Sequence, residues 1–138
     1  MLINEIIDNN PVHTDFNRGK AMILRAILWI NLTLLLLHEM DAVRTKEWKM
    51  MLFINRLNDE TASKLFISAH FIIFIIILYM LEYYFMILYW FICIFFIIHQ
   101  VIHIIFIRHP MNSINSLFSN IIIFAMFLVS VAGLCLAW

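Results

Sequence analysis

The chain has 138 residues, of which 64% are hydrophobic and only 13% are charged. Soluble globular domains are roughly half apolar and about a quarter charged, so this composition excludes an ordinary water-soluble domain. Nine basic residues balance nine acidic ones, and no dense basic patch suggests nucleic-acid binding. The composition predicts a single membrane domain built from long helices.

The first long apolar run follows a polar N-terminal tail over residues 1–20. The run begins at Ala21 and ends at His38-Glu39, without the small-residue cleavage site of a signal peptide. A helix needs about 20 apolar residues to cross a bilayer. We therefore expect a retained membrane span over residues 21–40.

The second apolar run is too long for one crossing. Residues 65–107 contain a single charged side chain, Glu82, and as one helix they would extend roughly 64 Å, about twice the hydrocarbon thickness. We expect a hairpin over residues 81–84, with Tyr83 and Tyr84 at the membrane interface. A last apolar run follows Pro110. The sequence thus predicts an all-α, four-helix transmembrane bundle as one domain over residues 21–138, with spans at 21–40, 64–81, 84–107 and 114–138.

A polar stretch joins the first two spans. Residues 41–64 combine Trp48 and other apolar side chains with basic ones, which is typical of a short helix lying in the membrane interface. An ordinary solvated loop fits nearly as well. Asn58-Asp59-Glu60 is expected to cap the second span, since acidic residues favour the first turn of a helix.

Lysine and arginine counts favour one orientation. The first and third loops together hold six of these residues, whereas the opposite side holds three. Positively charged loops tend to stay in the cytoplasm. We therefore expect the first and third loops to be cytoplasmic.

Ionisable side chains also occur within the apolar spans. They lie near the span ends that a chain with four crossings places on the same side of the membrane. Such groups are costly in hydrocarbon, so together they indicate a functional site. His99 and His103 are four residues apart and share one helix face. His38 and Asp41 are three residues apart and share a face if the first helix continues to residue 41. The group consists of His38, Asp41, His70, His99 and His103.

The chemistry of this group favours a metal ion. Imidazole and carboxylate together hold zinc or iron, and a histidine pair at this spacing can share one ion. The ligand types are similar to those of intramembrane zinc hydrolases, which use three histidines and an aspartate. A metal-dependent hydrolase here would act on a lipid or another amphiphile, with a carboxylate as general base. The candidate metal ligands are His38, His70, His99, His103 and Asp41, and the candidate catalytic residues are Asp41 and Glu39.

Two other functions fit the same residues. The polar set could hold helices together in a non-enzymatic assembly, accessory or ion-binding protein. Two histidines on facing helices could instead ligate haem in an electron carrier, although only two glycines leave few places to thin a helix for a porphyrin. Zinc is the expected cofactor, with iron or haem as alternatives. Membrane lipids are the expected partners, and a bundle of this size can form a homo-oligomer.

The motif H-E-M-D-A at residues 38–42 is followed by Glu47-Trp48 and by His70 early in the next span. This order resembles a family of small uncharacterised bacterial membrane proteins of about four helices, whose pattern is H-E-L/M-D-A, then E-W, then a histidine. The resemblance covers roughly residues 32–75. It implies a bacterial source, and thus an inner-membrane location, but no reaction. It also implies one linked set of residues: His38, Glu39, Asp41, Glu47, Trp48 and His70.

Overall fold

Four long helices form the part of the chain that the computed structural model describes, which is residues 11–50, 56–106 and 116–138. No strand occurs within these three ranges. Each helix has a stretch long and apolar enough to cross a membrane, which confirms the predicted all-α, four-helix architecture. The helices are α1 (Pro11–Thr45), α2 (Asp59–Tyr83), α3 (Phe85–Phe106) and α4 (Leu117–Ala137).

Helix α1 extends beyond the predicted end of the first span at residue 40. It continues without a break to Thr45, so His38 and Asp41 lie on one continuous helix, three residues apart. Helices α3 and α4 lie within residues 84–107 and 114–138, respectively. The predicted ends at residues 107 and 114 lie outside the described residues.

Helix α2 begins before the predicted residue 64 because its N-terminus is capped. The Asn58 side chain accepts a hydrogen bond of 2.9 Å from the Thr61 backbone N–H, and Asp59 and Glu60 occupy the first turn. A capping side chain satisfies a backbone donor that the helix leaves free, and acidic residues favour that end of the helix dipole. The predicted cap is therefore confirmed.

A single residue, Tyr84, separates α2 from α3. Its φ of −137° and ψ of 43° interrupt the helix, while its N–H still donates a 2.7 Å hydrogen bond to the Met80 carbonyl. The chain reverses here, because Ile77 of α2 and Ile92 of α3 belong to the same buried cluster. The hairpin lies within the predicted segment of residues 81–84.

The connection after α1 folds back over the end of the helix. Lys46 has a left-handed φ of 58°, and a 3₁₀ turn follows over Glu47–Met50. Trp48 of this turn is buried against Ala42, Ala62 and Phe66, where the two alanines leave room for the indole ring. Residues 51–55 lie outside the described residues, so a longer interfacial helix stays a prediction.

The main core lies between α1, α3 and α4. Helix α4 packs along both α1 and α3, whereas α2 lies at the edge of the bundle. In its most apolar window α2 is 11% buried, compared with 28% for each of the other three helices. Most of the apolar surface of α2 therefore faces outward, as expected for a lipid-facing helix. The buried side chains of the core include Leu28, Leu88, Tyr89, Ile92, Phe96 and Met126.

Candidate metal centre

Three histidines from two helices converge near one end of the bundle. One nitrogen each from His38, His99 and His103 forms a group in which all atoms lie within 4.8 Å of one another. His99 and His103 are one turn apart on α3, and their Nε2 atoms are separated by 3.2 Å. The His38 ring on α1 packs edge-on against both, at centroid distances of 4.8 and 5.7 Å. The three predicted imidazoles thus surround a common point.

The spacing of these nitrogens fits a small tetrahedral ion. With Zn–N bonds of about 2.0–2.1 Å, tetrahedral zinc holds neighbouring nitrogens roughly 3.3 Å apart. The 3.2 Å separation between His99 and His103 matches one edge of such a tetrahedron. The third nitrogen, from His38, completes a group that spans at most 4.8 Å. Three imidazoles and a fourth, open position are a ligand set of catalytic zinc sites.

Two ring nitrogens of this group make no hydrogen bond to the described protein, whereas the Nε2 atoms of His99 and His103 are hydrogen-bonded to each other. His38 is 3% exposed, and His99 and His103 are partly buried. The Nδ1 atoms of His38 and His99 have no hydrogen-bond partner within the described residues. Buried polar atoms normally find a partner, so unused nitrogens in this position indicate a role other than holding the fold together.

Glu47 adds a carboxylate to this group. The left-handed Lys46 reverses the chain, and the following turn brings the Glu47 Oε2 atom to 3.8 Å from His38 Nε2. The neighbouring Trp48 fixes the turn, because its indole packs 5.7 Å from the Phe66 ring between α1 and α2. The position of Glu47 therefore depends on a buried aromatic anchor.

The environment of Glu47 favours its protonated form. Burial raises the pKa of this carboxyl to about 8, and repulsion from the carboxylates of Glu39 and Asp41 adds to the effect. Its Oε1 atom has no hydrogen-bond partner within the described residues. A carboxyl group that titrates near neutral pH can both hold and release a proton, which general acid–base catalysis requires.

Asp41 belongs to a separate hydrogen-bonded group. Its Oδ1 atom accepts hydrogen bonds from Arg44, at 2.6 Å from Nη2 and 2.9 Å from Nε, and its Oδ2 atom accepts one from the Ser119 hydroxyl. Ser119 is fully buried in the first turn of α4, next to the capping Ser116. Only the Oδ2 atom joins α1 to α4, because Arg44 lies on α1 itself. The metal-ligand and catalytic roles expected for Asp41 stay predictions.

Glu39 and His70 form a pair of their own. Glu39 is rotated about 100° from His38 around α1 and therefore faces α2. Its Oε2 atom lies 2.8 Å from His70 Nε2, while His70 Nδ1 lies 2.7 Å from the Phe66 carbonyl and donates a hydrogen bond to it. Both nitrogens of His70 are thus engaged away from the three converging imidazoles. The metal-ligand role of His70 and the catalytic role of Glu39 stay predictions.

Two residues of this region were not among the candidate site residues. Glu47 had a detectable signal, because the Glu47-Trp48 pair is part of the motif that follows residues 38–42. Ser119 had no signal, since a single serine in an apolar helix is ordinary. Its importance depends on the packing of α4 against α1, which the sequence does not reveal.

A cavity of about 350 Å³ between α3 and α4 reaches His103 from outside. His103 lines it together with Gln100 on α3 and Asn120 on α4, and the remaining lining is apolar. Gln100 Oε1 is buried and has no hydrogen-bond partner within the described residues. A ligand in this cavity can therefore touch one of the converging imidazoles directly.

Comparison with known proteins yields a family but no activity. A family model described as a family of unknown function, DUF6713, matches residues 24–138. The matched region includes every residue of the candidate site described above. No curated protein and no solved structure matches the chain.

Proposed function

Because the chain belongs to the DUF6713 family, whose function is unknown, we propose a function from the site itself. The protein binds a zinc ion through His38, His99 and His103 and is a metal-dependent hydrolase of a lipid or another amphiphile. The observation that carries this proposal is the convergence of three imidazole nitrogens within 4.8 Å. Imidazoles from two helices at this spacing are a stronger signal than a lone histidine on an apolar face.

The reaction type follows from the residues around the three imidazoles. A zinc ion with three protein ligands keeps a position for water and lowers the pKa of that water towards 7. Glu47, whose Oε2 atom lies 3.8 Å from His38 Nε2, would accept a proton from a water activated at these imidazoles. A cation at the imidazoles favours the ionised form of Glu47, which prepares this side chain to act as a base. Glu47 thus takes the base role that the sequence suggested for Asp41 or Glu39.

The substrate class follows from the surroundings. His38 lies seven residues before the end of α1, so it lies about 10 Å along the helix from that end, a shallow position in a membrane. The cavity beside His103 is mostly apolar, with Gln100 and Asn120 as its other polar residues. Apolar walls with a few convergent polar groups are typical of ligand sites. They suit an amphiphile whose polar part reaches His103.

Metal content tests the binding part of the proposal. Protein purified in detergent without chelators is expected to contain one zinc ion per chain, as measured by elemental mass spectrometry. His99→Ala and His103→Ala are each expected to lower zinc affinity at least about tenfold, as loss of a ligand does. His70→Ala is the matched control and is expected to retain zinc. Zinc-free protein after zinc loading, or equal zinc retention in His99→Ala, would contradict the proposal.

A second measurement tests hydrolysis. Zinc-loaded protein in vesicles of phosphatidylethanolamine, phosphatidylglycerol and ceramide is expected to release cleavage products that lipid mass spectrometry detects. Glu47→Gln is expected to retain zinc but to lower the rate about 100-fold, within the usual contribution of a general base. Zinc binding without hydrolysis of any of these lipids would contradict the enzymatic role and favour an ion-binding protein without turnover.

A further inference from the structure

A second cavity lies on the other side of the three histidines, between α1, α2 and α3. It has a volume of about 250 Å³ and shares no lining residue with the cavity beside His103. One of its walls is Phe95, whose ring packs 5.7 Å from the ring of His99. Ile73 and Phe91, both largely exposed, also line it, so it opens toward the surface that faces lipid.

The polar residues of this cavity are Glu39 and His70, and the rest of its wall is apolar. On α2 the lining runs from His70 to Ile77, about 10 Å along the helix, so the polar pair stands at one end. A more open groove of about 260 Å³ between α1 and α2 shares Glu39, His70 and Phe74 with the cavity. The polar pair is therefore at the junction of the two spaces, where a head group can enter.

We propose that this cavity binds a neutral single-chain amphiphile, with its acyl chain along Ile73 and Phe91 and a hydroxyl head group at Glu39 and His70. The volume is below the roughly 300–1,000 Å³ of typical ligand sites, so it has room for part of one chain. A hydroxyl donates to the Glu39 carboxylate and accepts from the imidazole. An anionic head group is disfavoured, because it would lie beside the Glu39 carboxylate that lines the cavity, and like charges repel.

This inference goes beyond the proposed function, because it concerns a binding site that requires no metal. Binding is expected in chelator-treated protein and in His99→Ala alike. Failure of amphiphile binding therefore leaves the zinc proposal untouched, and failure of zinc binding leaves the amphiphile site untouched.

Native mass spectrometry of the full chain in dodecyl maltoside micelles tests the proposal. With 1-monooleoylglycerol as probe, we expect one bound molecule per chain. Sodium oleate is expected to bind about tenfold more weakly, because its carboxylate is repelled by the carboxylate of Glu39. Ile73→Trp places a larger side chain in the cavity and is expected to weaken monooleoylglycerol binding at least about tenfold. Ile72→Trp is the matched control, because Ile72 is exposed and does not line the cavity.

Glu39→Gln separates the head-group contact from the chain contact. This variant is expected to bind oleate and monooleoylglycerol with similar affinity, because the repelling charge is gone while an acceptor oxygen remains. Three results would overturn the proposal: no bound monooleoylglycerol in the wild type, oleate binding as tight as monooleoylglycerol binding in the wild type, or equal binding by Ile73→Trp and Ile72→Trp.

Discussion

Ser119 of α4 donates a hydrogen bond to the buried carboxylate of Asp41 on α1. This bond joins two helices next to the converging histidines. The other oxygen of the Asp41 carboxylate accepts hydrogen bonds from Arg44. Ser119→Ala leaves one Asp41 oxygen without its donor, which costs about 1–3 kcal/mol for a buried acceptor. We expect a lower midpoint of thermal unfolding in detergent. Ser68→Ala, an exposed serine on α2, is the control and is expected to leave the midpoint unchanged. Equal midpoints for the two variants would exclude a stabilising role for this bond.

Gly133 on α4 allows a close approach of three helices. A Cβ atom at this position would lie 2.7 Å from the Tyr89 hydroxyl and 2.9 Å from Ile27 Cγ2, and the same hydroxyl donates a 2.8 Å hydrogen bond to the Gly133 carbonyl. Gly133→Ala is therefore expected to destabilise the bundle by about 1–3 kcal/mol through overpacking. The measurement is the free energy of unfolding in detergent.

Gly19 provides the matched control for Gly133. A Cβ at Gly19 on α1 meets nothing within 4 Å. Gly19→Ala is expected to be neutral or to stabilise α1 by up to about 1 kcal/mol, because alanine has the higher helix propensity. If both substitutions shift the free energy of unfolding in the same direction, close packing at Gly133 is not the cause of the effect of Gly133→Ala.

The helices and the imidazole cluster follow from information that is local in the sequence. The length and hydropathy of the apolar runs determine how many helices can cross a membrane. The single charge at Glu82 marks the hairpin between α2 and α3. His99 and His103 share a face because a helix turns once every 3.6 residues. The four-span threading then brings the end of α1 to the same side, so the sequence predicts His38 near that pair.

The partners of the carboxylates could not be predicted in the same way. Whether Asp41 contacts the histidines or Ser119 depends on how α1 is rotated about its own axis, which hydropathy does not determine. Glu47 reaches His38 only because Lys46 adopts a left-handed φ of 58°, an uncommon backbone for a residue other than glycine. Such non-local contacts and single backbone reversals leave little trace in one sequence.

The raised pKa of Glu47 makes stability depend on pH. The pKa of this carboxyl is about 8 in the folded protein, compared with 4.5 for an ordinary glutamate. Between these two values the folded state keeps a proton on Glu47 that the unfolded state releases, so the contribution of Glu47 to stability falls as pH rises from about 4.5 to 8. The slope is at most about 1.4 kcal/mol per pH unit. The measurement is the unfolding midpoint between pH 5 and pH 8, with a chelator present.

Glu47→Gln removes this titration, so the unfolding midpoint of the wild type minus that of Glu47→Gln is expected to fall as pH rises from 5 to 8. Glu60→Gln is the control, since the Glu60 side chain is exposed and paired with Lys64 at 2.6 Å. That variant is expected to retain the wild-type slope. A Glu47→Gln profile as steep as the wild-type profile would show that Glu47 is not the group responsible.

Removal of metal is expected to lower the stability of the protein, because an ion that binds only the folded state stabilises it. At free zinc about 100-fold above the dissociation constant, the gain is about 2.7 kcal/mol. Chelator-treated protein should therefore regain a higher unfolding midpoint when zinc is added. His38→Ala should lose this zinc-dependent shift whatever its own starting stability, because the shift is measured within each variant. His70→Ala should keep the shift, since His70 Nε2 lies against Glu39 at 2.8 Å and outside the three-imidazole group. A zinc shift that survives in His38→Ala, or that disappears in His70→Ala, would assign the ion to a different set of ligands.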